Sequence, residues 1–325
     1  MFAPRRGLPA IVAGALLAVA LLGYLAGRGS RPVGAGPDAW AHAHVISVGS
    51  ALVEYPSGWH AGDAPPAIPG APLGDAVVLS PARGAPAGGV LAGALAGGGP
   101  APLPADLLAR LHARPSTEVV ALPGFQAYRY NGLGVELAGG GQLELTELYV
   151  IPNSGTAPTA LGCLAVAPGA AVQRECEQIV ARASLVGQTQ YSLIPDARYA
   201  RRLGALIARL DRERLALRGT IGRAATAAAI GPPARVLASH FAAAAAFLAA
   251  LEAPLPAAAA EEALTASLRG AHDAYAQLAG AALGEGEATV AAASTQVARA
   301  EAAVEVALEN FSLLGYASAT PAGVR

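Results

Sequence analysis

Near residues 187–195 the punctuation of the chain changes abruptly, and no single fold class spans both sides of that change. From His44 to about Gln190, short apolar runs are broken by Gly and Pro; beyond Pro195 such breaks become rare and long apolar-periodic stretches take over. Short runs between turn formers read as strands, and long uninterrupted ones read as helices. The expectation is an α+β chain: a mixed unit over 44–190, an all-helical unit over 195–316, and a weakly structured joint at "GQTQYSLIP".

In the first unit "VISVG" and "ALVEY" read as a pair of strands, followed by "AVVLS" (76–80) and "GVLAGALA" (89–96). A helix is expected over 105–113, with Leu107, Leu108 and Leu111 on one side. The segments 118–131, 141–152 and 159–167 read as consecutive antiparallel strands, with "LAGGGQ" as a hairpin turn because glycine supplies the positive φ such turns need. Val172, Cys176, Ile179 and Ala183 recur at spacings of 4, 3 and 4, one face of a closing helix. That face puts Cys176 against the sheet, where a bridge to Cys163 would pin the helix.

Four helices are expected in the second unit, forming an antiparallel up-down bundle because their connections are short. The first carries Tyr199, Leu203, Leu206, Leu210, Leu217 and Ile221 on its stripe. "GPP" at 231–233 breaks the chain and starts the second, whose stripe is Leu237, Phe241, Ala244, Phe247 and Leu251. Leu264, Leu268, Tyr275 and Leu278 mark the third helix, and Val290, Val297, Val304, Leu308 and Phe311 the fourth. Residues 317–325 are expected to be a disordered tail.

Location is legible at the other end. Leu8 to Gly27 form an uncharged stretch of the length needed to span a bilayer as a helix. It is longer than the apolar core of a cleaved signal peptide, so it is expected to remain as a single-pass anchor. A short cytoplasmic tail (1–7) precedes it and a Gly/Pro-rich linker (28–43) follows. The bulk of the chain is then extracytoplasmic, and an isolated cysteine pair in such a chain reads as one disulfide. The net charge of −1 supplies no field for nucleic acid. Every basic residue is Arg, so Schiff-base chemistry by lysine is excluded. With abundant alanine, this usage points to a GC-rich bacterial genome.

"YPSGW" (55–59) ends a strand, turns, and lays Trp59 on the sheet. Together with the run of antiparallel strands and the closing "CEQIVARASL", it resembles the PsbP-like superfamily over residues 44–187. That resemblance implies an α/β/α sandwich with an antiparallel sheet. It implies a binding or assembly role in the cell envelope and brings no catalytic residues.

The chain has no G-x-S-x-G, P-loop, H-E-x-x-H or complete G-x-G-x-x-G motif. Ser154 reads as a turn residue. His42 and His44 form an H-x-H without further ligands, His60 follows Trp59 in a turn, and His240 and His272 fall in the helical unit. No catalytic, cofactor or metal site is expected. One position stands out. By strand alternation Glu147 shares a face with Leu143, Leu145, Tyr149 and Ile151, and Arg129 on the preceding strand can reach it. Three readings follow: a pocket carboxylate for acid–base or binding work, a structural ion pair, or a bulge at Thr146–Glu147 that turns the side chain outward. Seven arginines between Arg198 and Arg218 crowd the first long helix and read as a solvated face, with anionic lipid or envelope polymer as the alternative.

The function expected is that of a non-enzymatic, membrane-anchored extracytoplasmic module with an envelope protein partner. The alternatives are a carrier of a small apolar ligand and, behind it, an envelope hydrolase.

Overall fold

The computed structural model describes residues 37–316, apart from 63–65, 83–87, 97–100, 139–142, 153–156, 167–170, 187–191 and 285. The expected anchor, Ser154, most of the "LAGGGQ" turn and the tail beyond 316 lie outside the described residues. Among those described, no helix is long and apolar enough to cross a membrane.

The chain is α+β. After a short helix α1 (Pro37–Trp40) come β1 (His44–Val48), β2 (Ala51–Tyr55), β3 (Trp59–Gly62), β4 (Leu73–Pro81) and β5 (Gly88–Leu95). A short α2 (Ala105–Leu108) leads into β6 (Ser116–Leu122), β7 (Phe125–Glu136), β8 (Glu144–Ile151) and β9 (Thr159–Ala165). Then follow α3 (Ala171–Val180) and β10 (Ser184–Leu185). Four long helices complete the chain: α4 (Ala197–Gly222), α5 (Ala227–Ala249), α6 (Ala258–Ala281) and α7 (Glu287–Leu313). Seven strands form one antiparallel sheet in the order β3-β4-β5-β9-β8-β7-β6, and β1-β2-β10 form a small second sheet.

Each face of the large sheet has its own core. On one side Trp59, Leu79, Val90, Phe125, Ile151 and Leu161 pack against α3 and against Val48, Ala51 and Val53 of the small sheet. The turn that places Trp59 is closed by its N–H donating to the Pro56 carbonyl at 2.9 Å. On the other side Leu91, Tyr128, Tyr130, Leu145, Leu148 and Leu164 join a cluster that runs without interruption into Leu203, Phe241, Leu268, Tyr275 and Phe311 of the long helices. The helical region therefore shares this second core with the sheet, together with Ile68, Ala71, Leu103 and Leu107. Tyr130 Oη donates to the Leu313 carbonyl at 2.9 Å, the Leu193 N–H donates to Gln126 Oε1 at 2.7 Å, and Arg114 pairs with Glu309.

Local chemistry explains where element bounds differ from the sequence reading. The segment 118–131 is two strands, because Pro123 and Gly124 form the two-residue turn between Leu122 and Phe125. Gly124 has φ 84°, the value required at the third position of a type II turn. The helix expected over 105–113 is regular only over Ala105–Leu108. The break between α4 and α5 falls at 223–226, not at "GPP": α5 begins at Ala227 and carries Pro232 and Pro233 inside it. Two residues assigned to core stripes also move. Ile207 is fully buried while Leu206 packs against the core only in part, and Leu248 is buried while Phe247 is 42 % exposed. A 3.6-residue helix drifts off a 3.5-residue repeat, so the choice between adjacent positions is settled by which neighbour the helix meets.

Candidate functional site

The β7–β8–β9 centre of the large sheet holds the first polar constellation. Glu144 and Leu145 pair with Ala165 and Leu164, and Glu147 then pairs with Cys163, so Thr146 is the extra residue of a β-bulge. Thr146 Oγ1 donates to the Cys163 carbonyl at 3.1 Å, occupying the slot a ladder bond would fill. The bulge reverses the alternation expected for β8. Leu145 points to the helical core with Leu148 and Val150, whereas Tyr149 and Ile151 face α3. Glu147 thus shares a face with Tyr149 and Ile151 as the sequence suggests, but not with Leu143 or Leu145, which lie across the sheet.

Glu147 is buried and fully engaged. Its Oε1 accepts from Arg129 Nη2 at 2.9 Å and from Gln173 Nε2 at 2.8 Å, and its Oε2 accepts from Tyr149 Oη at 3.1 Å. Arg129 reaches two more carboxylates, Glu177 at 3.4 Å and Glu118 at 3.7 Å, and lies 5.7 Å from the Tyr149 ring centre. Burial alone would lower the Arg129 pKa, but the hydrogen bond to Glu147 and the surrounding negative charge outweigh it and the net shift is upward. The Tyr149 phenol is raised well above its usual value, first by burial and then by the Glu147 charge. Each carboxylate oxygen of Glu147 already carries a donor, so this is the geometry of a structural ion pair. Beside it, Cys163 and Cys176 lie at bonding distance, with S–S 2.04 Å and both residues wholly buried, which joins β9 to α3 as the sequence implied.

A second buried carboxylate sits among the long helices. Glu301 pairs with Arg218 and accepts from Tyr275 Oη at 2.6 Å. Burial first, and then Glu301, raise the Tyr275 phenol far above its usual value. The histidines are absorbed locally. His272 Nδ1 lies 2.9 Å from the Ala238 carbonyl, an inter-helix hydrogen bond, and His240 Nδ1 lies 3.1 Å from Glu213 Oε2. His60 is exposed on β3. Among the described residues, no group of three His, Cys, Asp or Glu side chains could hold a metal ion.

An apolar concavity lies between α4 and α5. It is a groove of about 470 Å³ floored by Leu206, Leu210, Ala244 and Phe247, with Arg202 at one end and the Glu213–His240 pair at the other. The Arg202 guanidinium lies 5.6 Å from the Phe247 ring centre. Beyond Arg202 the groove meets a polar well of about 600 Å³, lined by Arg198, Asp196 and Glu252 as well as Arg202. Sequence reasoning missed this site because it assigned Leu206 and Phe247 to the core. The signal available was the arginine-rich stripe beside them.

No family model matches the chain, and no match appears among curated proteins or solved structures.

Proposed function

We propose that the chain is a non-catalytic, extracytoplasmic binding module of a bacterial cell envelope, held to the membrane by a helix over residues 8–27. The observation that carries this reading is the Cys163–Cys176 pair, at bonding distance between β9 and α3. Disulfides persist in oxidising compartments outside the cytoplasm, and the 20-residue apolar stretch ahead of the folded part supplies the route there. Glu147 and Glu301 support a binding role over a chemical one, since both are saturated by internal donors while the α4–α5 groove is left open. The finer fold description is a PsbP-like α/β/α sandwich followed by a four-helix up-down bundle. Its support is the order of elements: strands, a closing helix, then four long helices with short connections.

The α4–α5 groove also favours a second reading, a carrier of a small apolar ligand. A groove of about 470 Å³ lies within the range that holds one small molecule.

The test uses the full chain expressed in a bacterium and fractionated without reductant. The expected result is recovery with the membrane, release only by detergent, and two cysteines that resist maleimide under denaturing conditions until dithiothreitol is added. Two freely alkylated thiols, or a soluble cytoplasmic product, would overturn the reading. A pull-down from native membranes with the same chain then names the partner.

A further inference from the structure

The distribution of charge along α4 says what the groove is built to hold. Arg198, Arg202, Arg209 and Arg212 are spaced 4, 7 and 3 residues apart and so form a ridge along one side of the helix. Arg209 is neutralised by Glu213 at 3.0 Å. Among the described residues, Arg198, Arg202 and Arg212 have no ion-pair partner, and all three are exposed. The apolar floor begins where that ridge ends. Leu206, partly buried against the core, and Phe247, 42 % exposed, both line the groove, and the Arg202 guanidinium lies over the Phe247 ring. Arg202 belongs to both the apolar groove and the polar well. One side chain therefore marks the junction between a greasy trough and a polar well in which Arg198 and Arg202 sit with the carboxylates of Asp196 and Glu252. The Asp196 carboxylate accepts from the Tyr199 N–H at 2.6 Å as the α4 N-cap, and among the described residues neither it nor Glu252 forms an ion pair with Arg198 or Arg202.

We propose that the α4–α5 groove binds a single-chain amphiphile with an anionic head, the chain lying on Leu206, Leu210, Ala244 and Phe247 and the head on Arg198 and Arg202. This deepens the binding-module reading and rests on it. The trough has a volume suited to one small ligand, not to a flat membrane surface. The planar guanidinium forks match carboxylate and phosphate oxygens alike, so a free fatty carboxylate and a monoalkyl phosphate share the chemistry required.

The experiment titrates the full chain in a mild non-ionic detergent with dodecanoate and dodecyl phosphate. Calorimetry reads affinity, and the aromatic resonances of Phe247 report occupancy. Dodecanol serves as the uncharged control, and phosphatidylglycerol vesicles test for surface docking. The expected result is saturable one-to-one binding of at least one anionic probe, tenfold or more tighter than dodecanol and weakened by salt. Arg202→Gln should remove that tenfold preference for the anion. Ala243→Trp, on the exposed lip of the groove, should abolish binding of every chain. Both variants should retain the parent melting temperature, which separates lost binding from lost folding. Absence of saturable binding, or binding unchanged by both variants, would overturn the proposal. So would binding to vesicles with no binding of either free anion, which would make the ridge a membrane-docking surface. Those failures leave the envelope module in place with a different ligand, whereas free thiols in the fractionation experiment remove the module itself.

Discussion

Replacing Arg129 should cost more than replacing its partner Glu147, and the difference follows from what each change leaves behind. Arg129→Met removes the only cation on a buried carboxylate. Glu147 then keeps just two neutral donors, Gln173 and Tyr149. Breaking a buried pair in this way costs about 3–5 kcal/mol, and the surviving donors put the expectation near ~3. Glu147→Leu is milder. Arg129 retains Glu177 at 3.4 Å and Glu118 at 3.7 Å, and its side chain is 25 % exposed, so water meets part of the demand. The loss expected is about 2 kcal/mol, mostly from the orphaned Tyr149 hydroxyl. The double variant leaves no unpaired buried charge and should also cost about 2 kcal/mol. The coupling between the sites is then about 3 kcal/mol, at the upper end for contacting residues. Reversible urea unfolding of oxidised protein, followed by far-ultraviolet circular dichroism, measures all four corners of the cycle. A coupling below about 0.5 kcal/mol, or a Glu147 variant less stable than the Arg129 variant, would refute the argument that the pair is structural and that the carboxylate is its costly half.

The segment 195–316 expressed alone should be helical but melt broadly and bind hydrophobic dyes, since Tyr199, Phe311 and Leu313 share a core with the sheet; a sharp cooperative transition would show that this shared core is dispensable. Replacing Cys163 and Cys176 together with Ala should lower stability by about 2–4 kcal/mol without changing the far-ultraviolet spectrum, measured by urea midpoint against the oxidised parent. Burial raises the Glu175 carboxyl pKa, the hydrogen bond from Trp59 opposing it only in part. The folded state therefore binds this proton more tightly than the unfolded one, and stability falls as pH rises from the unfolded value through the raised folded value. Glu175→Gln should accordingly gain stability relative to the parent between about pH 4 and 7; a difference that does not change over that window contradicts the assignment.

The features legible in the sequence were those set by local chemistry. Cys163 and Cys176 could be paired from one strand and one helical face, and Arg129–Glu147 from two neighbouring strands. The bulge at Thr146 is legible as an alternative, but the outward turn expected of Glu147 does not occur: Glu147 stays buried beside Tyr149, and the inserted residue instead sends Leu143 and Leu145 to the other face, a reversal that leaves the hydrophobic composition of the strand unchanged. The same holds for Leu206 and Ile207, adjacent aliphatics that no periodicity separates until a neighbouring helix selects one. The core shared by the sheet and the long helices was not legible at all. It depends on Tyr130 and Leu133 meeting residues far along the chain, and a pattern read in short windows carries no information about such a meeting.

That shared core imposes an order of events on synthesis. Tyr130 and the Leu313 carbonyl it binds are 183 residues apart. At about 5–20 residues per second, the apolar face of β7, β8 and β9 waits on the order of ten seconds or more before its cover is complete. During that interval the nascent chain presents a sheet finished on the α3 side and covered on the other only in part, by Ile68, Ala71, Leu103 and Leu107, the kind of intermediate that chaperones recognise. A stop codon near residue 300 would remove Val304, Leu308, Phe311 and the Leu313 carbonyl from that core, so such truncations should be cleared by quality control even though every residue of the sheet is intact.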